Sequence, residues 1–304
     1  MKGKDFVSIS DLTRDDLMHI LNLALEMKKQ GNTSKLSGKT LGMIFEKPSL
    51  RTKVSFDVAM YQLGGHAIYL SNEEIGLGKR EPISDVARVI SRYVDLIMAR
   101  TFAHGSVADL AKYATVPVIN GLSDEEHPCQ TVADILTILE KKGKLEGLSV
   151  TYIGDGNNVA ASLLLACALI GMDFRFASPK GYEIPDRILR RARDISFGSY
   201  QIITTQNPKD AVSGADVVYT DVWTSMGQET ESEQRRKDLA GFTITSELLA
   251  KAKPDAILMH PMPVHHGEEF AEGMIDCAQS VLIDQAENRL HAQKAILVEL
   301  AKNQ

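Results

Sequence analysis

Residues 40–65 read TLGMIFEKPSLRTKVSFDVAMYQLGG and contain the transition that decides the fold. The first six residues are rich in β-formers, and apolar residues recur at helical spacing after Pro48. The stretch therefore predicts a strand, a turn and a helix in that order. Ser49 lies where the residue that caps the helix is expected. The unpaired N–H groups of this helix would face the carboxyl end of the strand, where open α/β sheets bind ligands.

The same alternation continues along the whole chain. Strands are predicted for TLGMIF, AIYL, LIMART, PVIN, SVTYIGD, FRFAS, YQIITT, DVVYTDV, AILMH and SVLID. Stretches with helical periodicity separate most of these runs, such as QTVADILTILEKKGK and NVAASLLLACALIG. The pattern predicts an α/β fold with two doubly wound domains, each a mostly parallel sheet flanked by helices.

The length of 304 residues also favours about two domains. A boundary is predicted near residue 145, because LSVTYIGDG begins a new strand-turn-helix unit after the helix that ends in LEKKGKLEG. The first domain would span residues 1–145 and the second residues 146–285. The final amphipathic pattern predicts one helix at about 286–304 that packs back on the first domain.

Composition excludes several classes of protein. Hydrophobic residues make up 44% of the chain, but no apolar run approaches the roughly 18 residues of a membrane span. The N-terminus lacks the apolar segment of a secretory signal, so a cytoplasmic location and no membrane partner are predicted. The net charge is −6 without a block of basic residues, which argues against a nucleic-acid partner.

Cysteines and histidines suggest neither a disulfide framework nor a metal site. The chain has three cysteines, Cys129, Cys167 and Cys277, without CxxC spacing, so free thiols are expected. His265 and His266 are adjacent and would diverge on a helix or a strand. No metal and no cofactor are therefore predicted.

The residues that open the predicted helix are suited to an anion. Ser49 and Thr52 supply hydroxyl donors, Arg51 supplies a planar guanidinium that matches phosphate, and the helix dipole favours negative charge. The alternative is an ordinary capped helix on which Arg51 and Lys53 are solvated. The local sequence alone leaves both interpretations open.

Several motifs in the same order resemble the aspartate/ornithine carbamoyltransferase family. That family has S-T-R-T-R followed by SF where this chain has S-L-R-T-K followed by VSF. The stretches LIMARTF, HPCQTVADILT and DQAENRLHAQKA are similar to its second arginine strand, its H-P-x-Q helix and the C-terminal helix of its ornithine branch. The resemblance implies transfer of a carbamoyl group from carbamoyl phosphate to ornithine, by a homotrimer or a multiple of trimers, in arginine biosynthesis.

The resemblance also implies a set of site residues for carbamoyl phosphate. The catalytic residues would be Arg51, Thr52, Arg100 and His127, and the remaining binding residues would be Ser49, Leu50, Gly76, Gln130, Pro261, Met262 and Arg289. Leu50 would bind through its backbone N–H. Taken alone, His127 before Pro128 resembles a surface cap, and Arg289 resembles a solvated helix charge.

The amino-acid acceptor would bind to the second half of the chain. TDVWTSMGQE is similar to the D-x-x-x-S-M-G loop of ornithine carbamoyltransferases, which implies roles for Asp221, Ser225 and Met226. Asn158 in GDGNNV would hold the carboxylate of ornithine. Aspartate is disfavoured, because its additional carboxylate should require arginines. Other amines, such as putrescine or a modified ornithine, and a non-catalytic family member remain alternatives.

A nicotinamide cofactor is a weaker alternative for GDGNNVAASLL. A strand followed by Gly154, Gly156 and a helix is similar to a dinucleotide fingerprint, but the third glycine is missing. The next strand, FRFASPK, ends without an acidic residue for a ribose. The sequence therefore disfavours NAD.

Six positions depart from the family pattern. Pro261 and Met262 replace the cysteine and leucine of the H-C-L-P motif, Leu50 and Cys129 each replace a threonine, Lys53 replaces an arginine, and Gly76 stands where many relatives have glutamine. Lys53 keeps the charge but loses the planar guanidinium. The loss of the cysteine at Pro261 weakens the prediction of ornithine as acceptor without overturning it.

Overall fold

A computed structural model describes residues 5–225 and 227–302. They form two parallel sheets with helices around them, which confirms the predicted fold class. The strands are β1 Thr40–Phe45, β2 His66–Ser71, β3 Leu96–Arg100, β4 Val118–Leu122, β5 Ser149–Ile153, β6 Asp173–Ala177, β7 Ile202–Thr205, β8 Val217–Thr220 and β9 Ile257–Met259.

The helices follow the same alternation. They are α1 Arg14–Gln30, α2 Leu50–Gln62, α3 Asn72–Ile75, α4 Ile83–Ile90, α5 His104–Tyr113, α6 Pro128–Lys142, α7 Asn158–Ile170, α8 Asp186–Asp194, α9 Pro208–Val212, α10 Ser232–Leu239, α11 Ser246–Leu249 and α12 Leu282–Ala301. Short 3₁₀ turns occur at Ile9–Asp11, Glu229–Glu231, Ala240–Phe242 and Met274–Asp276.

The chain divides into two compact units, Met1–Leu136 with Glu287–Gln304, and Thr137–Ala286. The change from the first unit to the second falls inside α6, upstream of the predicted boundary near residue 145. The second unit ends at Ala286, and most of α12 belongs to the first unit.

The first unit contains a four-stranded sheet of order β2-β1-β3-β4 in which every strand pair is parallel. Phe45, the last residue of β1, is in register with Arg100, the last residue of β3. The chain leaves both central strands at the same edge of the sheet, and Glu46 N donates to Arg100 O at 2.9 Å. This register brings the start of α2 and the end of β3 to one edge.

The second unit contains a five-stranded parallel sheet of order β7-β6-β5-β8-β9. The central strands β5 and β8 are neighbours, so the turns after Ile153 and after Thr220 lie side by side. Helix α7 is buried along nearly its whole length, as its continuous apolar sequence requires.

One predicted strand is wrong. SVLID at 280–284 forms only an isolated bridge between Ser280 and Leu258, and α12 already begins at Leu282. The last helix is therefore four residues longer at its start than predicted. A short apolar run fits a strand or a buried helix equally well, and Leu282 is fully buried as the first residue of the helix.

Two predictions from composition can be compared with the described residues. Cys129, Cys167 and Cys277 are free thiols, as expected. None of the helices in 5–225 and 227–302 combines the length and the apolar character needed to cross a bilayer.

Candidate active site

The start of α2 has the geometry predicted from the sequence. Ser49 is the N-cap in extended conformation, and its side chain accepts from Thr52 N at 3.3 Å. Its hydroxyl also donates to Thr52 Oγ1 at 3.1 Å. Thr52 is fully buried, whereas the side chain of Leu50 is exposed, so only the backbone of Leu50 could contribute to a site here. The helix start presents N–H groups and two hydroxyls in one place.

Arg289 of α12 reaches this helix start. Its Nη2 donates to Thr52 Oγ1 at 2.9 Å in a buried hydrogen bond between residues 237 positions apart. Only 3% of Arg289 is exposed. The interpretation of Arg289 as a solvated helix charge is therefore wrong, and the structure places it with Thr52.

Three guanidinium groups, those of Arg51, Arg100 and Arg289, share this region. Burial, together with the positive charges of Arg289 and Arg51, lowers the pKa of Arg100 to about 10. Burial also lowers the pKa of Arg51. Within 5–225 and 227–302, neither Arg51 nor Arg100 forms a salt bridge with a carboxylate. Such mutually repelling cations create a strong site for an anion.

His127 precedes α6 and is buried beside the same charges. Burial lowers the pKa of His127 well below its usual value, and the charges of Arg289 and Arg100 add to the effect. The imidazole is therefore neutral near pH 7 and can donate from one ring nitrogen. A surface cap would be exposed, so that alternative for His127 is wrong.

Two other residues of α6 complete this half of the site. Gln130 Nε2 donates to Asp134 Oδ1 at 2.8 Å, and both side chains are buried. Cys129 lies between them and His127, and its Sγ donates to Asn120 O at 3.3 Å. Burial raises the pKa of Cys129 to about 12 despite the nearby charge of Arg289, so the thiol is protonated and acts as packing.

Gly76 is the residue after α3, and its backbone adopts the left-handed conformation with φ 54°. A Cβ atom here would lie 2.9 Å from Arg80 Cβ. Glycine therefore suits the tight turn in which Lys79 N and Arg80 N both donate to Gly76 O at 2.8 Å. The Lys53 ammonium lies 4.0 Å from the centroid of the Tyr69 ring. The role of Gly76 in binding carbamoyl phosphate stays a prediction.

The second unit has its own polar cluster, centred on Asp221 after β8. Asp221 Oδ2 accepts from Asn157 Nδ2 at 2.8 Å, and its Oδ1 accepts from Val222 N at 2.8 Å. Burial raises the pKa of Asp221, while the neighbouring His260 and the hydrogen bond from Asn157 oppose that rise. A buried carboxylate with a raised pKa is suited to a cationic ligand.

The neighbour of the predicted Asn158 positions this cluster. Asn157 Oδ1 caps α7 by accepting from Val159 N at 3.0 Å and Ala160 N at 3.1 Å, while its amide nitrogen holds Asp221. Asn158 is half-buried as the first residue of α7. Ser225 is half-buried, and its N donates to Gln228 Oε1 at 3.1 Å. Met226 lies outside the described residues.

Arg235 of α10 connects the two turns that carry these residues. Its Nη1 donates to Asp155 Oδ2 at 2.8 Å, in the turn after β5, and to Trp223 O at 3.0 Å, in the turn after β8. Its Nε donates to Glu231 Oε2 at 3.1 Å. The guanidinium thus joins the side chain of Asp155, two residues before Asn157, to the backbone carbonyl of Trp223, two residues after Asp221.

Pro261 and Met262 follow β9 in the second unit. Met262 has a positive φ of 59°, and its N donates to His260 Nδ1 at 2.9 Å. His260 Nε2 lies 3.2 Å from Glu269 Oε1, and both side chains are fully buried. Because Nδ1 accepts from Met262 N, Nε2 is the ring nitrogen that faces Glu269. The proposed contact of Pro261 and Met262 with carbamoyl phosphate stays a prediction.

Sequence reasoning missed one grouping of potential metal ligands. Atoms of His265, Glu268 and Glu269 lie within 4.8 Å of one another, although the sequence spacing did not indicate this. Arg236 Nε already donates to Glu268 Oε1 at 2.9 Å, and His265 N donates to Glu269 Oε1 at 2.6 Å. One oxygen of each carboxylate therefore already has a partner, while Glu269 Oε2 is buried without a hydrogen-bond partner among the described residues.

The turn after β5 packs against protein. A Cβ atom on Gly156 would lie 2.5 Å from the backbone carbon of Glu183 and 2.5 Å from Ile184 N. The glycine is needed because another segment of the chain approaches closely at this point. Its presence therefore requires no pyrophosphate, which removes the main support for the NAD alternative.

Four positioning residues were not found from the sequence: Asn157, Asp134, Arg235 and Glu269. The N-cap position before NVAASLL could have indicated Asn157, and the i, i+4 spacing to Gln130 could have indicated Asp134. The spacing of Arg235 to Glu231 indicates only a local helix contact. Nothing in the sequence indicated the contacts of Arg235 with Asp155 and Trp223, or the contact of Glu269 with His260.

Comparisons with known proteins agree with this geometry. The carbamoyl-P binding domain of the aspartate/ornithine carbamoyltransferases matches residues 4–140, and the Asp/Orn binding domain matches residues 146–300. The chain belongs to the aspartate/ornithine carbamoyltransferase family, as the motifs predicted.

Three relatives illustrate the similarity. An ornithine carbamoyltransferase of Anoxybacillus flavithermus is 53% identical over 99% of this chain and 97% of its own length. An anabolic ornithine carbamoyltransferase of Pyrococcus furiosus is 52% identical over 98% and 96%. The crystal structure of ornithine carbamoyltransferase from Thermus thermophilus matches with a TM-score of 0.91 and 44% identity, over 99% of each chain.

The lowered pKa of His127 predicts a pH dependence of stability. The unfolded chain binds a proton on this histidine below about pH 6.5, whereas the folded protein binds it only at lower pH. The neutral folded form therefore loses stability as the pH falls below about 6.5, by at most about 1.4 kcal/mol per pH unit. His127→Asn should reduce the loss of unfolding free energy between pH 7 and pH 5, measured by denaturant titration without ligands. The exposed His66→Asn controls for the removal of one histidine. An unchanged pH slope in His127→Asn would contradict the buried neutral state.

Proposed function

We propose that the protein is an ornithine carbamoyltransferase, which converts carbamoyl phosphate and L-ornithine to L-citrulline and phosphate. The observation that carries the proposal is the buried hydrogen bond from Arg289 to Thr52 at the start of α2, with Arg51 beside Thr52 in the helix and Arg100 close enough to both arginines for their charges to lower its pKa. A dianionic phosphate is the ligand that such a cluster suits best.

The phosphate end would bind at the N-terminus of α2. The hydroxyls of Ser49 and Thr52, the backbone N–H of Leu50 and the guanidinium of Arg51 would donate to the phosphate oxygens. Charge-assisted hydrogen bonds of this kind are about twice as strong as neutral ones. The dianion would also relieve the repulsion among the three arginines.

The carbamoyl end would be held by Arg100, His127 and Gln130. Attack by the δ-amine of ornithine on the carbonyl carbon forms a C–N bond and a tetrahedral oxyanion, and collapse of this species breaks the bond to phosphate. Donors aimed at the oxyanion contribute on the order of 3 kcal/mol each. A neutral His127 donates here without adding a fourth positive charge to the cluster.

Orientation would supply much of the remaining acceleration. Alignment of amine and carbonyl removes roughly 7 to 11 kcal/mol of barrier in well-oriented reactions. The amine loses a proton when the C–N bond forms, and this proton passes to the departing phosphate oxygen, so that phosphate leaves as the weakly basic dianion HPO₄²⁻ and not as the trianion. No covalent intermediate on the enzyme is needed, which agrees with a site made mainly of binding groups.

Ornithine would be recognised in the second unit. Asp221 would accept from the α-ammonium group, because its buried carboxylate gains most from a cationic partner. Asn158 would donate to the ornithine carboxylate, and Ser225 with the backbone of Met226 would complete the contacts. The biosynthetic direction is proposed because the Pyrococcus furiosus relative is described as anabolic. The cytoplasmic location stays a prediction.

A homotrimer is also proposed. Leu50, Val54 and Tyr61 are exposed by 74%, 49% and 76%, and their positions on α2 place them on one face of the helix. Such an apolar stripe is suited to contact with a second copy of the chain. Sedimentation equilibrium should give three times the chain mass of 33.4 kDa. A monomer at micromolar concentration would contradict the proposal.

Replacement of Arg51 tests the phosphate site. Arg51→Ala should lower kcat/KM for carbamoyl phosphate by at least about 100-fold, because a charged donor to the leaving group is lost. The thermal midpoint should change by only a few degrees, because Arg51 forms no salt bridge with the described residues. The exposed Arg92→Ala serves as control and should retain activity. Wild-type activity in Arg51→Ala would contradict the phosphate site and support the alternative, in which the start of α2 is an ordinary capped helix.

Replacement of Asp221 tests the acceptor. Wild-type protein should form ureido product from L-ornithine in preference to putrescine, N-acetylornithine and aspartate. Asp221→Asn should lower kcat/KM for ornithine by at least about 100-fold, because the α-ammonium group loses its carboxylate partner. The exposed Asp194→Asn is the matched control. Product from putrescine or N-acetylornithine but none from ornithine would show that the acceptor is assigned incorrectly.

A further inference from the structure

Only one end of the Gln130 side-chain amide has a partner in the protein. Gln130 is 1% exposed, and its Nε2 donates to Asp134 Oδ1 at 2.8 Å in a buried hydrogen bond. Its Oε1 is also buried, and residues 5–225 and 227–302 offer it no hydrogen-bond partner. A buried carbonyl oxygen without a hydrogen-bond partner destabilises the folded protein. Gln130 Oε1 is therefore an acceptor that is available to a ligand.

Asp134 determines which end of the amide is held in reserve. Gln130 Nε2 donates to Asp134 Oδ1, and carboxyl oxygens that accept hydrogen bonds pair with the NH₂ end of an amide and not with its oxygen. Gln130 Oε1 is then the end of the amide that can accept a hydrogen bond from a ligand. An amide without this neighbour could rotate by half a turn and present its NH₂ group instead. Asp134 itself is fully buried, so its orientation is constrained by packing.

Helical spacing places this pair next to the predicted site. His127, Gln130 and Asp134 are separated by three and four residues at the start of α6, so they lie along one side of the helix. His127 is close enough to Arg100 and Arg289 to be affected by their charges. Gln130 lies three residues after His127, so its Oε1 is in the part of the first unit that also contains Arg100 and Arg289.

We propose that Asp134 is a positioning residue that fixes the polarity of the Gln130 amide, so that the site selects an acyl phosphate whose acyl carbon carries an NH₂ group. Carbamoyl phosphate has this donor, whereas acetyl phosphate has a methyl group at the same place. The proposal rests on the proposed function, because it assumes that the acyl group binds beside Gln130. A methyl group would leave Oε1 buried and unpaired, and sites built for a hydrogen bond reject such analogues strongly.

Two stable phosphonates isolate this selection from catalysis. Phosphonoacetamide carries an NH₂ group on its carbonyl carbon, and acetonylphosphonate carries a methyl group of nearly the same size. Their dissociation constants are measured by titration calorimetry on the full-length protein, with inorganic phosphate as a third ligand that lacks the acyl group. The wild-type protein should bind phosphonoacetamide at least about 10-fold more tightly than acetonylphosphonate.

Variants at Asp134 give the decisive comparison. Asp134→Ala should reduce the preference for phosphonoacetamide to about twofold or less, while the affinity for inorganic phosphate changes by less than about threefold. Asp134→Asn should retain only part of the preference, because its amide can either accept from Gln130 Nε2 or donate to Gln130 Oε1 and so no longer fixes the polarity of the Gln130 amide. In a Gln130→Met background, Asp134→Ala should produce no further loss of preference, because the residue through which Asp134 acts is absent.

A second pair of variants covers the case in which Asp134→Ala does not fold. Gln130→Glu places two carboxylates together, and Gln130→Glu/Asp134→Asn restores one donor and one acceptor with the roles exchanged. The double variant should recover at least about a fivefold preference relative to Gln130→Glu alone.

Three results would overturn the proposal. A preference that survives Asp134→Ala would exclude a positioning role, and so would an equal loss of affinity for all three ligands, which indicates a structural role. A wild-type protein that binds neither phosphonate would remove the carbamoyl-phosphate site itself, and this inference with it.

Discussion

The repulsion among three buried or half-buried guanidinium groups is the constraint on which the first unit depends. Arg51, Arg100 and Arg289 come from three separate elements, α2, β3 and α12, and burial, together with the charges of the other two arginines, lowers the pKa of Arg100 to about 10. Packing energy from the sheet and from α12 must hold these charges together in the free protein. A dianion removes the repulsion, so binding and stability are linked, and the ligand should stabilise the folded state.

The same constraint explains the chemistry of the neighbouring residues. A charged imidazole would add to the repulsion, and burial keeps His127 neutral instead. A thiolate would be attracted to the cluster, but burial outweighs that attraction and keeps Cys129 protonated. Cys129 therefore supplies no negative charge to the arginines, and an anionic ligand can supply it. In the second unit the sign is reversed, because the buried carboxylate of Asp221 is suited to the cationic group of an amino acid.

Local sequence patterns predicted most helices and strands, but they could not predict contacts between residues far apart along the chain. The cap formed by Ser49 and the start of α6 at Pro128 follow from a few neighbouring residues, and both were predicted from the sequence. The bond from Arg289 to Thr52 spans 237 positions, and its existence depends on where α12 packs. Family motifs indicated Arg289 as a site residue, but its burial against Thr52 is a tertiary result. The run SVLID was misjudged because apolar residues alone do not separate a strand from the buried first turn of a helix.

A crystal structure with a bisubstrate phosphonate, N-(phosphonoacetyl)-L-ornithine, tests the central claim most directly. The account predicts that the phosphonate oxygens lie about 2.7–3.0 Å from the Thr52 hydroxyl and from guanidinium nitrogens of Arg51 and Arg100. The phosphonate should accept hydrogen bonds from backbone N–H groups at the start of α2 as well. Density for the phosphonate at any other place on the first unit, with the start of α2 free of ligand, would contradict the account.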